Sequence, residues 1–452
     1  MKRLSAWPLA AIALTALVVL TTVPARASDA LLWRKQQDKV DADFNSWSLT
    51  KLLTKVSAAA GYTIRVEPGI SYVSSTKFRN LTQDQALKRL LGDLNYRKTV
   101  SNGVTEISVY KTTARAATEL VKSAPAQPRK DYRIQNEWIV RLKKGSGTSP
   151  EQLANSVGAK IVGRDDKLGL YRLQFADATA ASGALDSLEG NSAVASVDSN
   201  YIVDRPSPST MTPVTGAAAP SFNLNPQIPA NGPIVGLIDT AIQAQDQFKN
   251  YLLPPQSVVG TPDPSSTEPT HGTSMLETLV AAMGNSPSKI LPVDIYGSGE
   301  STTTFEVAQG LVNAVNSGAN PINMSLGGTG DSSLLENLIS QAAQKGIQIV
   351  AASGNNGGVA ETFPAAYPGV LSVTASAPNG QVASYADDGP WVKVIAPGTA
   401  PVVLNGQEWI VDGTSVSTAI VTGTIAQLEN SQHLSLSQAV NAVLKMSPAP
   451  KP

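Results

Sequence analysis

The run Ile234-Val235-Gly236-Leu237-Ile238-Asp239-Thr240 decides the fold: a short apolar stretch that ends abruptly in a carboxylate. Pro233–Ile238, Gly346–Ala352 and Val370–Val373 are runs of the same kind. Their length and lack of charge suit strands buried on both faces. Between the first two, Phe305–Val315 and Leu334–Ala343 space their apolar residues three and four apart, which predicts helices. Alternation of this sort predicts an α/β fold, a parallel sheet sandwiched by helices. In such sheets, functional side chains gather where strands end and helices begin.

That rule selects four places. Asp239 ends its strand. His271 opens His271-Gly272-Thr273-Ser274-Met275-Leu276, whose continuation reads as helical. Asn355 follows the strand Ile347–Ala352 in Ser353-Gly354-Asn355-Asn356-Gly357, and Ser415 lies in Gly413-Thr414-Ser415-Val416-Ser417, before the helical pattern Ala419–Leu428. Each feature alone has a bland reading: a turn aspartate, a structural histidine, a loop tripeptide. Their order and shared position at element boundaries are what count.

On these residues the carboxy-terminal half resembles the subtilisin-type serine proteases, or subtilases. Val235–Thr240, His271-Gly272-Thr273 and Gly413-Thr414-Ser415 stand in the order Asp, His, Ser expected of that family. Asn323-Met324-Ser325-Leu326-Gly327-Gly328 and Gly354-Asn355 lie between them, also in the family pattern. The resemblance implies that Ser415 is the nucleophile, His271 its base and Asp239 the group that orients the imidazole. Asn355 and the backbone N–H of Ser415 would receive the oxyanion. It further implies that peptide lies along Ser325, Leu326 and Gly327 as an added strand. A pocket walled by Ala352, Ser353, Gly354 and the Phe363–Pro368 loop would then have room for a sizeable apolar side chain. Three residues depart from the pattern: Ala241 replaces a glycine, Glu277 a small residue and Ala419 a proline. They touch packing and not the proton-transfer groups. His433 is assigned no role.

Composition narrows the alternatives. The chain has 452 residues, no cysteine and two histidines, so disulfides, thiolate sites and multi-histidine metal centres are excluded. No cofactor is expected. No aspartate-rich calcium loop is visible, although a structural calcium held by loop carbonyls leaves no sequence trace. Residues 28–130 carry seventeen basic and nine acidic side chains, whereas 231–452 carry six and sixteen. No basic-aromatic motif points to nucleic acid. Lys2 and Arg3, the apolar run Leu9–Val23 and Ala25-Arg26-Ala27 predict a signal peptide over 1–27. Export to the medium or a Gram-negative-type periplasm follows, with no transmembrane segment in the mature chain.

Two small α+β domains are expected in front of the catalytic unit. Residues 131–205 read strand, helix, strand, strand, helix, strand and resemble the propeptide that chaperones and inhibits subtilases. The resemblance implies self-cleavage by Ser415 between Ile202 and Phe222. Residues 206–230 contain six prolines and no charge, an extended linker, and 116–130 form another. Residues 28–115 hold two amphipathic helices among strands, and their spacing resembles the short N-terminal domain of secretins and TonB-dependent receptors. That likeness implies an interaction module with an envelope protein as partner. The function expected of the whole is an exported, self-processing serine endopeptidase acting on polypeptides. A catalytically weak protease-fold scaffold and an esterase on the same framework are the alternatives.

Overall fold

The computed structural model describes residues 30–449, except 35–37, 71, 102–103, 122–131, 207–210, 215–224, 226, 230–231 and 261–266. The predicted signal peptide therefore lies outside the described residues.

The carboxy-terminal unit is built on a seven-stranded sheet. Its order is Gln256–Ser257, Lys289–Asp294, Ile234–Asp239, Ala319–Met324, Ile349–Ala352, Leu371–Ser376 and Val394–Pro397, and every neighbouring pair is parallel. Because strand side chains alternate, Val235 and Leu237 face one helix layer and Ile238 the other. The first layer is His271–Met283 and Thr414–Gln432, whose Leu276, Leu279, Val416 and Ala426 complete that core. The second is Thr304–Asn316 and Ser333–Gln344, contributing Val307, Leu311, Leu335 and Ile339. This is the subtilisin-like α/β architecture, with the sheet covered on both faces as its apolar strands require.

Before it stands a second sheet, ordered Ser301–Thr303, Val194–Asp204, Arg133–Leu142, Leu170–Gln174, Lys160–Asp165. The last four strands and the helices Pro150–Ser156 and Ala178–Glu189 form an α+β domain. The first, Ser301–Thr303, comes from the carboxy-terminal unit. Val194–Asp204 pairs with Arg133–Leu142 as far as Tyr201 and with Ser301–Thr303 from Ile202 to Asp204. Ile139 and Leu170 meet Phe305, Ala308 and Leu334 in one buried cluster, so the two units share apolar packing as well as a sheet.

The front unit has two helices, Leu49–Ala60 and Gln83–Leu91. They accompany a three-stranded sheet, Ala30–Arg34, Lys39–Ser48, Val73–Leu81, and a four-stranded one, Asn95–Ser101, Val104–Tyr110, Thr63–Val66, Glu119–Leu120. Thr82 and Gln85 cap the second helix reciprocally. Phe44 stacks on Trp47 at 4.0 Å between centroids, within a core that includes Leu52, Leu53, Leu87 and Leu90.

Candidate active site

All four predicted groups stand at the carboxyl edge of the parallel sheet. Asp239 closes the strand Ile234–Asp239 and is fully buried. Both of its carboxylate oxygens face His271 Nδ1, at 2.8 and 2.9 Å. Asp239 Oδ1 also accepts the backbone N–H of Thr240 at 2.7 Å. A carboxylate can only accept here, so Nδ1 carries the proton and Nε2 is left as the basic nitrogen. His271 Nε2 is buried and has no hydrogen-bond partner among the described residues. Such an orphan is costly unless it has a use.

The histidine is delivered by a helix start. Thr270 caps the helix His271–Met283, accepting the N–H of Thr273 and donating its hydroxyl to the carbonyl of Ala241. Gly272 donates its N–H to Thr240 Oγ1 at 2.8 Å, and a Cβ on it would lie 2.2 Å from the Thr240 carbonyl oxygen. Only glycine lets the helix approach the aspartate strand this closely. The sequence runs Asp239-Thr240 and His271-Gly272-Thr273 are thus one interlocked contact.

Ser415 lies in the first turn of Thr414–Gln432 and is nearly buried. Its hydroxyl donates to the Ser325 carbonyl at 3.2 Å, not to His271. Ser325 Oγ in turn donates to the Ser415 carbonyl at 3.0 Å, and Asn323 joins Ser325 Oγ to Thr422 Oγ1. These bonds bolt the end of the strand Ala319–Met324 to the serine helix. Asn355 Oδ1 accepts both the N–H and the hydroxyl of Thr414, each at 2.9 Å. Because a backbone N–H only donates, this settles which end of the carboxamide is oxygen, and Nδ2 is the end left to donate.

Ser415, Asn355, Ser325, Leu326, Gly327, Ala352 and Gly354 line one cavity of about 240 Å³, whose lining does not include His271 or Asp239. Ser353 does not: its side chain is fully buried and donates to the Asp387 carbonyl at 2.7 Å. Of the lining residues that the sequence reading missed, Thr362 stands just before the Phe363–Pro368 loop and Thr329 just after Gly328. Neither carries a motif. Among the three departures, Glu277 is buried, accepting from Gln245 at 2.7 Å and from Val403 N–H at 2.6 Å, and burial pushes its carboxyl up to about 7. Ala241 and Ala419 are both buried. Among the described residues no group of three or more acidic or histidine side chains could hold a metal ion.

Sheet and site together define the class: a serine-protease fold of the subtilisin kind. Residues 230–448 match the model of the Subtilase family, and residues 119–200 that of the Fervidolysin N-terminal prodomain. The carboxy-terminal unit thus carries the subtilase match, and the unit before it the prodomain match. The chain is 34% identical over 215 residues to the thermostable alkaline protease of Halalkalibacterium halodurans, spanning 44% of this chain and 57% of that one. Against the alkaline protease of Shouchella clausii it is 29% identical, covering 54% and 65%. The chain thus spans under two thirds of either relative. In fold it resembles the epidermin leader peptide processing serine protease of Staphylococcus aureus, with TM-score 0.51, 17% identity and coverage of 68% and 92%.

Proposed function

We propose that the protein is an exported serine endopeptidase made as a self-processing zymogen. In this reading the Ser415 hydroxyl leaves the Ser325 carbonyl for Nε2 of His271, which has no hydrogen-bond partner among the described residues. His271 takes the proton as the serine oxygen attacks a peptide carbonyl, and Asp239 stabilises the imidazolium. The tetrahedral oxyanion receives Asn355 Nδ2 and the Ser415 N–H, a donor at a helix N-terminus. The imidazolium then protonates the leaving amine, and water repeats the sequence on the acyl-enzyme.

The path of the chain itself carries this reading. Ile202–Asp204 pairs antiparallel with Ser301–Thr303, and Arg205 N–H donates to the Glu300 carbonyl at 2.9 Å. Asp204, Arg205 and Pro206 line the same cavity as Ser415 and Asn355. The next described segment, Met211–Pro213, pairs with Trp409–Val411, on the hairpin that leads into Gly413-Thr414-Ser415. The described segments on either side of 207–210 are thus each strand-paired to the carboxy-terminal unit, as those of a bound substrate would be. Export follows from residues 1–27, and the front unit serves as a docking module for an envelope partner in a periplasm. Expression of the full chain and of its Ser415→Ala variant tests the proposal. Wild type should be cut between Arg205 and Met211 and be labelled by a fluorophosphonate; the variant should show neither. An intact, unlabelled wild type would defeat it.

A further inference from the structure

The apolar pocket that the sequence suggests is obstructed. The side chain of Thr362 stands between the two glycine walls, Gly327 and Gly354. A Cβ on Gly327 would meet Thr362 Cγ2 at 2.5 Å, and one on Gly354 would meet Thr362 Oγ1 at 2.9 Å. Its methyl is turned to one wall and its hydroxyl to the other.

The side chain is also held in place. Its hydroxyl hydrogen-bonds Asp387, and the neighbouring backbone is tied by a reciprocal pair, Phe363 N–H to the Gly328 carbonyl at 2.8 Å and the reverse at 2.9 Å. The Thr362 carbonyl accepts Ala366 N–H at 2.9 Å. Asp387 offers no counter-charge to a basic side chain, because it lies almost wholly buried behind Gly354. Its oxygens are taken by Gly358 N–H at 2.7 Å, Asn356 N–H at 3.2 Å and Asn356 Nδ2 at 3.0 Å. Of the three connector residues that line this cavity, Asp204 is paired with Ser301, Arg205 turns its guanidinium to the Gly297 carbonyl at 3.0 Å, and Pro206 is compact and uncharged.

We propose that Thr362 is the floor of the pocket for the side chain preceding the cut, and that it restricts cleavage to sites with a small uncharged residue there, such as alanine or serine. The inference rests on the endopeptidase reading above and deepens it. A large side chain must displace a threonine that is bonded on both sides, which overpacks the pocket. One misfitting group in an apolar pocket discriminates about 10- to 200-fold.

The test uses the self-processed full-length protein and tetrapeptide anilides ending in alanine, phenylalanine or lysine. Wild type should cleave the alanine substrate with kcat/KM at least about tenfold above either other. Thr362→Gly should raise the phenylalanine-to-alanine ratio of kcat/KM about tenfold or more, whereas Thr362→Val, which keeps the bulk and loses the hydroxyl, should keep the wild-type ranking. A wild type that prefers phenylalanine or lysine overturns the proposal, as does an unchanged ratio in a Thr362→Gly variant that still takes the fluorophosphonate label. Should that variant fail to fold, the cut sites of wild type in a mixed peptide digest decide, through the residue on their amino side. A wild type that neither labels nor cleaves any peptide brings down the endopeptidase reading first, and this proposal with it.

Discussion

Asn355 is committed by its neighbours before any substrate arrives. With both Thr414 donors on Oδ1, the carboxamide cannot flip, and in the proposed mechanism its amino group donates to the oxyanion without reorganisation. Asn355→Ala should therefore lower kcat roughly 100- to 1,000-fold while KM moves little. Steady-state kinetics with a peptide anilide reads this, and equal loss in KM would assign the residue to binding instead. Asp239→Asn should cost more, about 10⁴-fold, because an amide in place of the carboxylate favours the wrong imidazole tautomer. Both residues were legible in the sequence, since each sits in a short local pattern at an element boundary. Thr362 was not legible. Its importance comes from Gly327 and Gly354, which are distant in sequence and meet it only in the folded chain.

The histidine helix is anchored at two levels, and the second is an ionisable one. Gly272 fixes its first turn against Thr240, while Glu277, one and a half turns on, ties it to Gln245 and to the strand Thr399–Leu404 through Val403 N–H. Sequence reading took Glu277 only as a departure from a small residue. The carboxylate's partners come from a loop and a hairpin, and nothing in the helix pattern announces them. Because burial raises its pKa from 4.5 to about 7, the folded protein holds a proton that the unfolded chain has released between those values. Stability must then fall as pH rises through that window, by up to about 3 kcal/mol from this group. Glu277→Gln keeps an acceptor for Val403 and removes the titration. In a Ser415→Ala background, denaturant unfolding at pH 5 and pH 8 should show a drop in the glutamate protein that the glutamine variant largely lacks. Parallel pH dependence in the two would mean that Glu277 is ionised throughout.

Across the whole molecule, sequence order conceals the closest partnership. The α/β unit and the prodomain pattern could each be read from local periodicity. The strand that unites them could not, because Ile202–Asp204 finds Ser301–Thr303 about a hundred residues later. Beneath that shared sheet lies an ionic clasp. Arg172 donates to Glu137 at 2.7 and 3.2 Å and to Glu306 of the catalytic unit at 2.9 Å, while Asn200 bridges Glu137 to Thr304. Glu137 is almost fully buried, so the arginine neutralises a charge that has little access to water. Removing one member of a buried pair costs about 3–5 kcal/mol, chiefly because the other is stranded. Once the proposed cut is made, sheet, apolar cluster and clasp are what would keep the prodomain on the cleft. Arg172→Ala should therefore weaken that hold by about 100-fold or more. Self-cleavage should still occur, since the triad is untouched, but activity on an added peptide should follow the cut with a much shorter lag than in wild type. Mass analysis times the cut and anilide release times the activity. An unchanged interval between them would show that release is governed by the shared strand and the apolar cluster alone, with the ionic clasp contributing nothing to inhibition.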